Sequence, residues 1–493
     1  MNSKKDILNL IKSNSKKDID LVGRAFDFSQ KAHQEQKRFS GEPYFVHALE
    51  TAKILADLGM TATTVSAGLL HDCLEDANIP REVIEKEFGK EILFLIEGVT
   101  KLGKLKYRGA ERHKESLRKL FVAISQDIRV IIIKLADRLH NMQTLKYVPE
   151  HKQERIASET LEIYVPIAYR LGIRKLSRQL EDLAFPYLYP KEYEKTKELF
   201  KQRKKEDLRN LDRFQRSVKK TLAKKGITQI SADYRIKNLY SLYKKLERKD
   251  WNIDKVYDIS ALRIILSDVP ECYKALGVIH QVYRPLPGRI KDYIAFPKPN
   301  NYQALHTTIF TGYGNVVEIQ IKTKKMHQEA EYGVASHILY KEKTKILGAN
   351  LAWIKKLLPF KRTQKQEINY DDVPSWIKEL VEYQSSGKKD NLEDIKADFF
   401  QRRIFVFTPK GDVVDLPISS TSIDFAYSIH SDIGDRMSGV KINNKMVSID
   451  TVLKNGDIVE IITKQKSRPS RKWLSYCKTA TAKKHIRSFL SQK

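Results

Sequence analysis

Apolar residues recur every three or four positions through most of the first 175 residues, with few turn-forming residues among them. The runs 48–58, 62–74 and 128–145 are the clearest, and no alternating pattern competes. Residues 1–175 are therefore predicted to form an all-α domain. Helical spacing continues through a connector, 176–230, where Tyr193, Leu199, Leu208, Leu211, Phe214, Val218 and Leu222 repeat among many lysines and arginines. The pattern then changes. Residues 227–234, 259–267, 305–310 and 316–321 read as strands, and 238–246, 271–282 and 326–340 as helices, which makes 231–341 an α/β or α+β sheet domain. Residues 342–401 read as a partly polar helical linker, loosest at the Ser/Gly/Lys run 385–391. Beyond it, 402–466 predicts two strands joined by a Pro-Lys-Gly-Asp turn, a short helix at 422–430 and further strands near 440–444 and 457–463, followed by a tail, 467–493.

Bulk properties narrow the class. A chain of 493 residues exceeds one core, and roughly three domains are expected. With 41% hydrophobic and 31% charged residues it is an ordinary globular sequence. No apolar run approaches the ~18–20 residues that span a bilayer, and the charged N-terminus lacks the apolar core of a signal peptide. Cys73, Cys272 and Cys477 are too widely spaced for a disulfide framework or a zinc site. A cytoplasmic protein is expected. The net charge of +29 favours polyanionic partners such as nucleotides, nucleic acid or ribosomes. The basic surplus at 191–225 reads as a solvated helix face.

Candidate chemistry falls in two places. In the helical domain His47, the adjacent His71-Asp72 and Asp137 lie on or beside three predicted helices, which could converge on one ion. Two imidazoles with two carboxylates suit Mn²⁺, Fe²⁺ or Zn²⁺ better than Ca²⁺. Glu75 and Asp76 follow one turn later; they are either helix-surface charge or carboxylates set beside the ligands. In the sheet domain the stretch 289–310 combines Arg289, Lys291, Lys298, Tyr302, Gln303 and His306 with prolines that hold the backbone extended. Cations, an aromatic face and amide groups are what a nucleotide site needs. Asp258 precedes one predicted strand and Glu318 lies within another, a carboxylate pair able to hold Mg²⁺ and take a proton from a hydroxyl.

Both places resemble known families. The spaced set H…HD…D resembles the HD-type metal-dependent phosphohydrolases. RFSGEPYFVH (38–47), LLHDCLED (69–76) and KLADRLHNMQT (134–144) resemble the hydrolase domain of the Rel/SpoT family, whose members make and destroy (p)ppGpp. The resemblance implies that His47, His71, Asp72 and Asp137 bind Mn²⁺, that Glu75 and Asp76 activate and orient the attacking water, and that Arg38, Asn141 and Thr144 contact substrate. Ala48 replaces a common proline, and Phe39 stands where a polar residue is frequent. The stretch 289–310 resembles the synthetase signature of the same family and implies a nucleotidyltransferase-like mixed sheet. There Asp258 would bind Mg²⁺, Glu318 would be the general base at the 3′-hydroxyl, and Tyr302 would stack on guanine. Arg235, Lys237, Lys298 and His306 would contact phosphates, while Arg263, Lys291, Asn300 and Gln303 would line the cleft. Arg289-Ile-Lys-Asp292 is the RxKD form of the bifunctional members. YRIKN (234–238) departs from the common GRPKH, and Lys322 from a common arginine.

The segment 402–466 resembles the TGS domain, a small β-grasp fold, with His430 matching a histidine implicated in contact with the tRNA 3′ end. The sequence from 467 continues the family pattern, and the chain is either cut after TGS or naturally short. The expectation is a bifunctional alarmone enzyme acting on ATP, GDP or GTP and (p)ppGpp. Opposed reactions in one chain imply reciprocal control, with 176–230 as the coupling element. The alternatives are a hydrolase with a weak synthetase, because of YRIKN, and a nucleotide- or RNA-binding regulator.

Overall fold

The computed structural model describes residues 4–11, 15–103, 127–253, 256, 260–297, 302–311, 316–333, 403–409, 413–454 and 456–491. The predicted linker and the positions Asp258, Lys298 and Asn300 lie outside these residues. The chain divides into two compact units, 1–361 and 362–493.

The first unit begins with helices α1 (Lys4–Leu10), α2 (Lys16–Ala32), α3 (Phe45–Asp57), α4 (Ala62–Leu70), α5 (Arg81–Phe88), α6 (Lys90–Gly103) and α7 (Ile128–Gln143). Helix α4 buries every residue except the half-buried Thr63 and packs against α2, α3 and α6, as a helix without a charged face must. Gly68 makes the α3–α4 contact possible, because a Cβ there would run into Leu55. Helix α8 (Glu150–Glu159) passes through a π-turn, Thr160–Tyr164, into α9 (Val165–Arg170); α10 (Arg174–Leu188) and the 35-residue α11 (Pro190–Lys224) then lead to the sheet.

Two predicted boundaries are corrected. The helix expected over 62–74 stops at Leu70, and the chain continues in turns closed by Cys73 N to Leu70 O (3.0 Å) and Asp76 N to Asp72 O (2.8 Å). The first strand begins at Ser231 instead of 227: Gly226, at φ 80°, ends α11, and Ile227 N turns back onto Leu222 O. Ile227 thereby joins the core.

The sheet has the order β1-β2-β5-β4-β3, built from β1 (Ser231–Ile236), β2 (Ser260–Leu266), β3 (Lys291–Asp292), β4 (Leu305–Phe310) and β5 (Val316–Thr323). Helices α12 (Leu239–Glu247), α13 (Val269–Val282) and α14 (Lys324–Tyr332) complete it. Strands β2 and β5 are parallel and the other pairs antiparallel. Leu262, Ile264, Leu305, Ile309, Ile319 and Ile321 form one face, packed on Leu211, Phe214, Val218 and Leu222 of α11 and on α13. The basic helix α11 is therefore amphipathic. Strand alternation puts Arg263, Glu318, Gln320, Lys322, His306, Thr308 and Lys291 on the opposite face.

In the second unit β6 (Arg403–Phe407) pairs with β7 (Val413–Pro417), and β8 (Met437–Ile442) lies between β9 (Lys445–Val447) and β10 (Val459–Thr463). A parallel bridge, Phe407 to Ile458, links the two ladders. Helix α15 (Ser422–Ile429) fills the core, α16 (Ser431–Asp435) follows it, and the tail supplies α17 (Trp473–Tyr476) and α18 (Ala480–Ser491). Trp473, Cys477, Ala482 and Ile486 share one core with Ile423 and Phe425, so the tail is part of this unit's fold. The fully buried Asp424 joins them. Its carboxylate accepts from Thr421 N (2.8 Å), Thr479 N (2.8 Å), Thr479 Oγ1 (2.9 Å) and Lys478 N (3.0 Å). Asp424→Ala orphans these buried donors. It should destabilise this unit by about 3 kcal/mol or more, seen as early amide exchange confined to residues 403–491.

Candidate functional sites

Helices α3, α4 and α7 bring the four predicted ligands together. His47 Nε2 lies 3.2 Å from Asp137 Oδ1 and 3.5 Å from Asp72 Oδ2, while His71 Nε2 is 3.1 Å from Asp72 Oδ2 and 3.9 Å from Asp137 Oδ1. One donor atom each from His47, His71 and Asp137 falls within 4.8 Å of the others. His71 Nδ1 donates to Gly68 O at 2.8 Å, so the neutral ring offers its lone pair at Nε2, a buried atom beside Asp72 Oδ2. His47 Nδ1 faces His140 Nδ1 at 2.8 Å, and Arg38 Nη1 approaches the same atom at 3.0 Å. An arginine cannot accept, so His140 Nδ1 accepts from both, and His47 too turns an unprotonated Nε2 to the centre. Two aimed imidazoles, a buried carboxylate and a second one at the rim fit a divalent cation.

The charges are arranged to match. Burial disfavours charge on Asp137, but the Lys134 ammonium at 2.7 Å holds its carboxyl well below the usual range. Burial also opposes charge on His71, but the Asp72 carboxylate outweighs it and raises the imidazole to about 9, so a cation at Nε2 takes the place of a proton. His140 is pushed down to about 3 by burial, then by His47 and Arg38, so it stays neutral. Asn141 Nδ2 donates to Asp137 Oδ1 (2.5 Å), and Arg38 Nη2 to Asn141 Oδ1 (2.7 Å), which ties two predicted substrate contacts to the ligands. Thr144 Oγ1 donates to His140 O at 3.1 Å. Glu75 and Asp76 lie exposed on the turn after the His-Asp pair, and Tyr44 Oη reaches Asp76 Oδ2 (2.5 Å) and Asp72 Oδ2 (3.0 Å). Phe39 is exposed.

Sequence reasoning missed Tyr44, Lys134 and His140. All three stand three residues from a predicted ligand, Tyr44 before His47 and the other two flanking Asp137, a spacing that puts them on that residue's own helical face. His140→Ala removes the acceptor that orients His47. It should weaken divalent-cation binding at the cluster about 10–100-fold, measured with Mn²⁺ as the probe by electron paramagnetic resonance.

The polar face of the sheet forms the second site. A cavity of about 340 Å³ is lined by Arg289, Lys291, His306, Thr308 and Glu318, and by Lys245, Arg248 and Lys249 at the end of α12, which sequence reasoning did not single out. Glu318 Oε1 is 2.9 Å from His306 Nδ1 and accepts from Gln320 Nε2 at 2.9 Å; His306 Nε2 pairs with Tyr302 Oη at 2.8 Å. Register places Glu318 beside Ala261 of β2. Arg235 sits opposite Ala261 in β1, and Lys237 is half-buried beyond it. Arg263 is held bidentate by Asp233 (2.7 and 2.6 Å) and also pairs with Glu331, away from the cavity. Gln303 donates to Ile294 O. Tyr302 is buried with the Arg174 guanidinium 4.4 Å from its ring centroid, so stacking a base on that face requires Arg174 to move aside. In the second unit His430 caps α16, its Nδ1 accepting from Asp432 N, with the ring largely exposed.

Comparison with known proteins agrees with this division. Three family models match: HD domain over 25–174, Region found in RelA / SpoT proteins over 234–345, and TGS domain over 404–463. A guanosine-3′,5′-bis(diphosphate) 3′-pyrophosphohydrolase of Borreliella burgdorferi is 41% identical over 96% of the chain and 68% of its own length. The chain belongs to the RelA/SpoT family. The Aquifex aeolicus protein of the same description is 44% identical over 96% of the chain, and a Myxococcus xanthus GTP pyrophosphokinase 43% identical over 96%. The chain spans 64% and 61% of the length of those two relatives. An all-α HD domain, a mixed-sheet RelA/SpoT domain and a TGS domain follow one another along this family member, as the sequence pattern predicts. No helix among the described residues is long and apolar enough to cross a membrane.

Proposed function

We propose that the chain is a bifunctional alarmone enzyme of the cytoplasm. The helical site hydrolyses the 3′-pyrophosphate of (p)ppGpp to GDP or GTP and pyrophosphate. The sheet site transfers pyrophosphate from ATP to the 3′-hydroxyl of GDP or GTP, giving (p)ppGpp and AMP. The observation that carries the reading is that one chain holds two separately built sites: a buried imidazole–carboxylate cluster, and a basic cavity with a carboxylate in its wall.

In the hydrolase, His47, His71, Asp72 and Asp137 would hold Mn²⁺, which supplies a water acidic enough to attack near neutral pH. Lys134 balances the buried carboxylate, and Asn141 and Arg38 orient the substrate from beside it. Asp76, hydrogen-bonded to Tyr44, and Glu75 would activate and orient the attacking water. In the synthetase, Asp258 would hold Mg²⁺, and Glu318 is the base for the 3′-hydroxyl, its carboxylate oriented by His306 and Gln320. Arg235, Lys237, Arg289, Lys291, Lys298 and His306 neutralise the phosphates, Asn300 and Gln303 border the cleft, and Tyr302 receives the guanine. Phosphoryl-type transfer depends mainly on such placement of charge. The exposed His430 is the proposed point of contact with tRNA or the ribosome.

A second reading is that hydrolysis dominates, favoured by Arg174 covering Tyr302. One assay separates the two. The protein receives ATP and GDP with Mg²⁺, and separately ppGpp with Mn²⁺, and products are resolved by nucleotide chromatography. Turnover in both halves supports the bifunctional reading; hydrolysis alone supports the second. No turnover in either half, with salt-sensitive tRNA binding, leaves only a binding regulator.

A further inference from the structure

Asp182 stands on α10, outside the sheet domain, yet its carboxylate is bound to that domain. Oδ1 accepts from Tyr240 N at 3.0 Å, and the neighbouring Leu239 N–H bonds to the same carboxylate. Beside it, Glu181 Oε2 accepts from Asn238 Nδ2 at 2.9 Å, and Ser241 bonds to Glu181 as well. Asn238 is the N-cap residue of α12, with φ −68° and ψ 152°, but its side chain makes no capping bond. The first turn of α12 is therefore capped by a different helix. Burial raises both carboxyls, Glu181 to about 7. Both residues are half-buried, their carboxyls turned to these contacts.

The other end of α12 is where the chemistry lies. Lys245 on its last turn, then Arg248 and Lys249, line the cavity opposite Glu318. Sideways, α12 is fixed by apolar packing: Leu242 and Leu246 are fully buried near Leu199 and Phe200 of α11, and Tyr243 stacks on Phe185 of α10 at 5.0 Å. Such packing is non-directional and resists sliding along the helix axis weakly. Directional bonds at the N-terminus set that coordinate. A helix this short moves as a rigid rod, so an error at Tyr240 is carried whole to Lys245.

We propose that Asp182, assisted by Glu181, is a positioning residue of the synthetase: it sets the axial register of α12 and so the placement of Lys245, Arg248 and Lys249 against substrate phosphates. This rests on the synthetase reading above. Because α10 also packs on α7, which carries Asp137, the carboxylates stand on an element shared with the metal cluster.

The test compares the full chain with Asp182→Ala and Asp182→Asn. With ATP and GDP, Asp182→Ala should raise KM about tenfold and change kcat by less than about threefold. Asp182→Asn keeps an acceptor oxygen and should return KM to within about twofold of wild type. Hydrolysis of ppGpp by the same samples should stay within about twofold. An unchanged KM in Asp182→Ala, no rescue by Asp182→Asn, or an equal fall in both activities with a lowered Tm would overturn the proposal. If the wild type makes no ppGpp, the synthetase reading fails by itself. Calorimetric titration with ATP then decides: a tenfold weakening in Asp182→Ala, rescued by Asp182→Asn, upholds positioning, while equal affinities, or none in the wild type, overturn it.

Discussion

Asp72→Ala is expected to abolish ppGpp hydrolysis, with a fall of ~10³-fold or more, and to leave synthesis near its wild-type rate. The carboxylate oxygen stands 3.1 and 3.5 Å from the two lone-pair nitrogens of His71 and His47. Its removal takes one anionic donor from the cluster and leaves two imidazoles with one carboxylate. A metal centre supplies several kcal/mol of charge stabilisation, and each 1.4 kcal/mol lost is tenfold in rate. The change should be tolerated structurally. Asp72 is partly exposed, whereas Asp137 is buried against Lys134, so Asp137→Ala would add the cost of an uncompensated ammonium. Mn²⁺ titration beside the hydrolysis assay checks the cause: weakened binding must accompany the loss. Full activity in Asp72→Ala would remove Asp72 from the ligand set.

Glu318→Gln carries the second large effect, a fall of about 10²–10⁴-fold in ppGpp synthesis with hydrolysis retained. Glutamine fills the same space on β5 and can still face His306, so the fold and the cavity wall should persist. What it cannot do is take a proton from the ribose hydroxyl. The loss should fall on kcat with KM for ATP little changed, because phosphate binding is assigned to the surrounding cations. A loss confined to KM would instead make Glu318 a contact for substrate, and the base would have to be sought elsewhere on the sheet face.

Much of this was legible in residue order. Helical periodicity marked the first domain, and alternation marked β4 and β5, because each period reflects one face buried and one exposed. The ligand set could be read because each of its members sits on a predicted helix or at its end. Less visible were residues whose role depends on their neighbours. His140 is one residue among many in a helical run until its Nδ1 is seen between Arg38 and His47. Lys245, Arg248 and Lys249 carry no local signal beyond their charge, and only the packing of α12 beside the sheet brings them to the cavity that Glu318 lines. The early stop of α4 was hidden as well, since 71–76 keeps helical spacing while its hydrogen bonds close as turns.

Domain order, the class of each domain and the identity of most chemical groups are written in local patterns, because burial imposes a period on any chain that folds into layers. The relations between distant groups are not local. Which nitrogen of His47 faces the cluster, the covering of Tyr302 by Arg174, and the capping of α12 by Asp182 join residues 58 to 128 positions apart. Such contacts depend on how packed helices meet, and no sequence period records that.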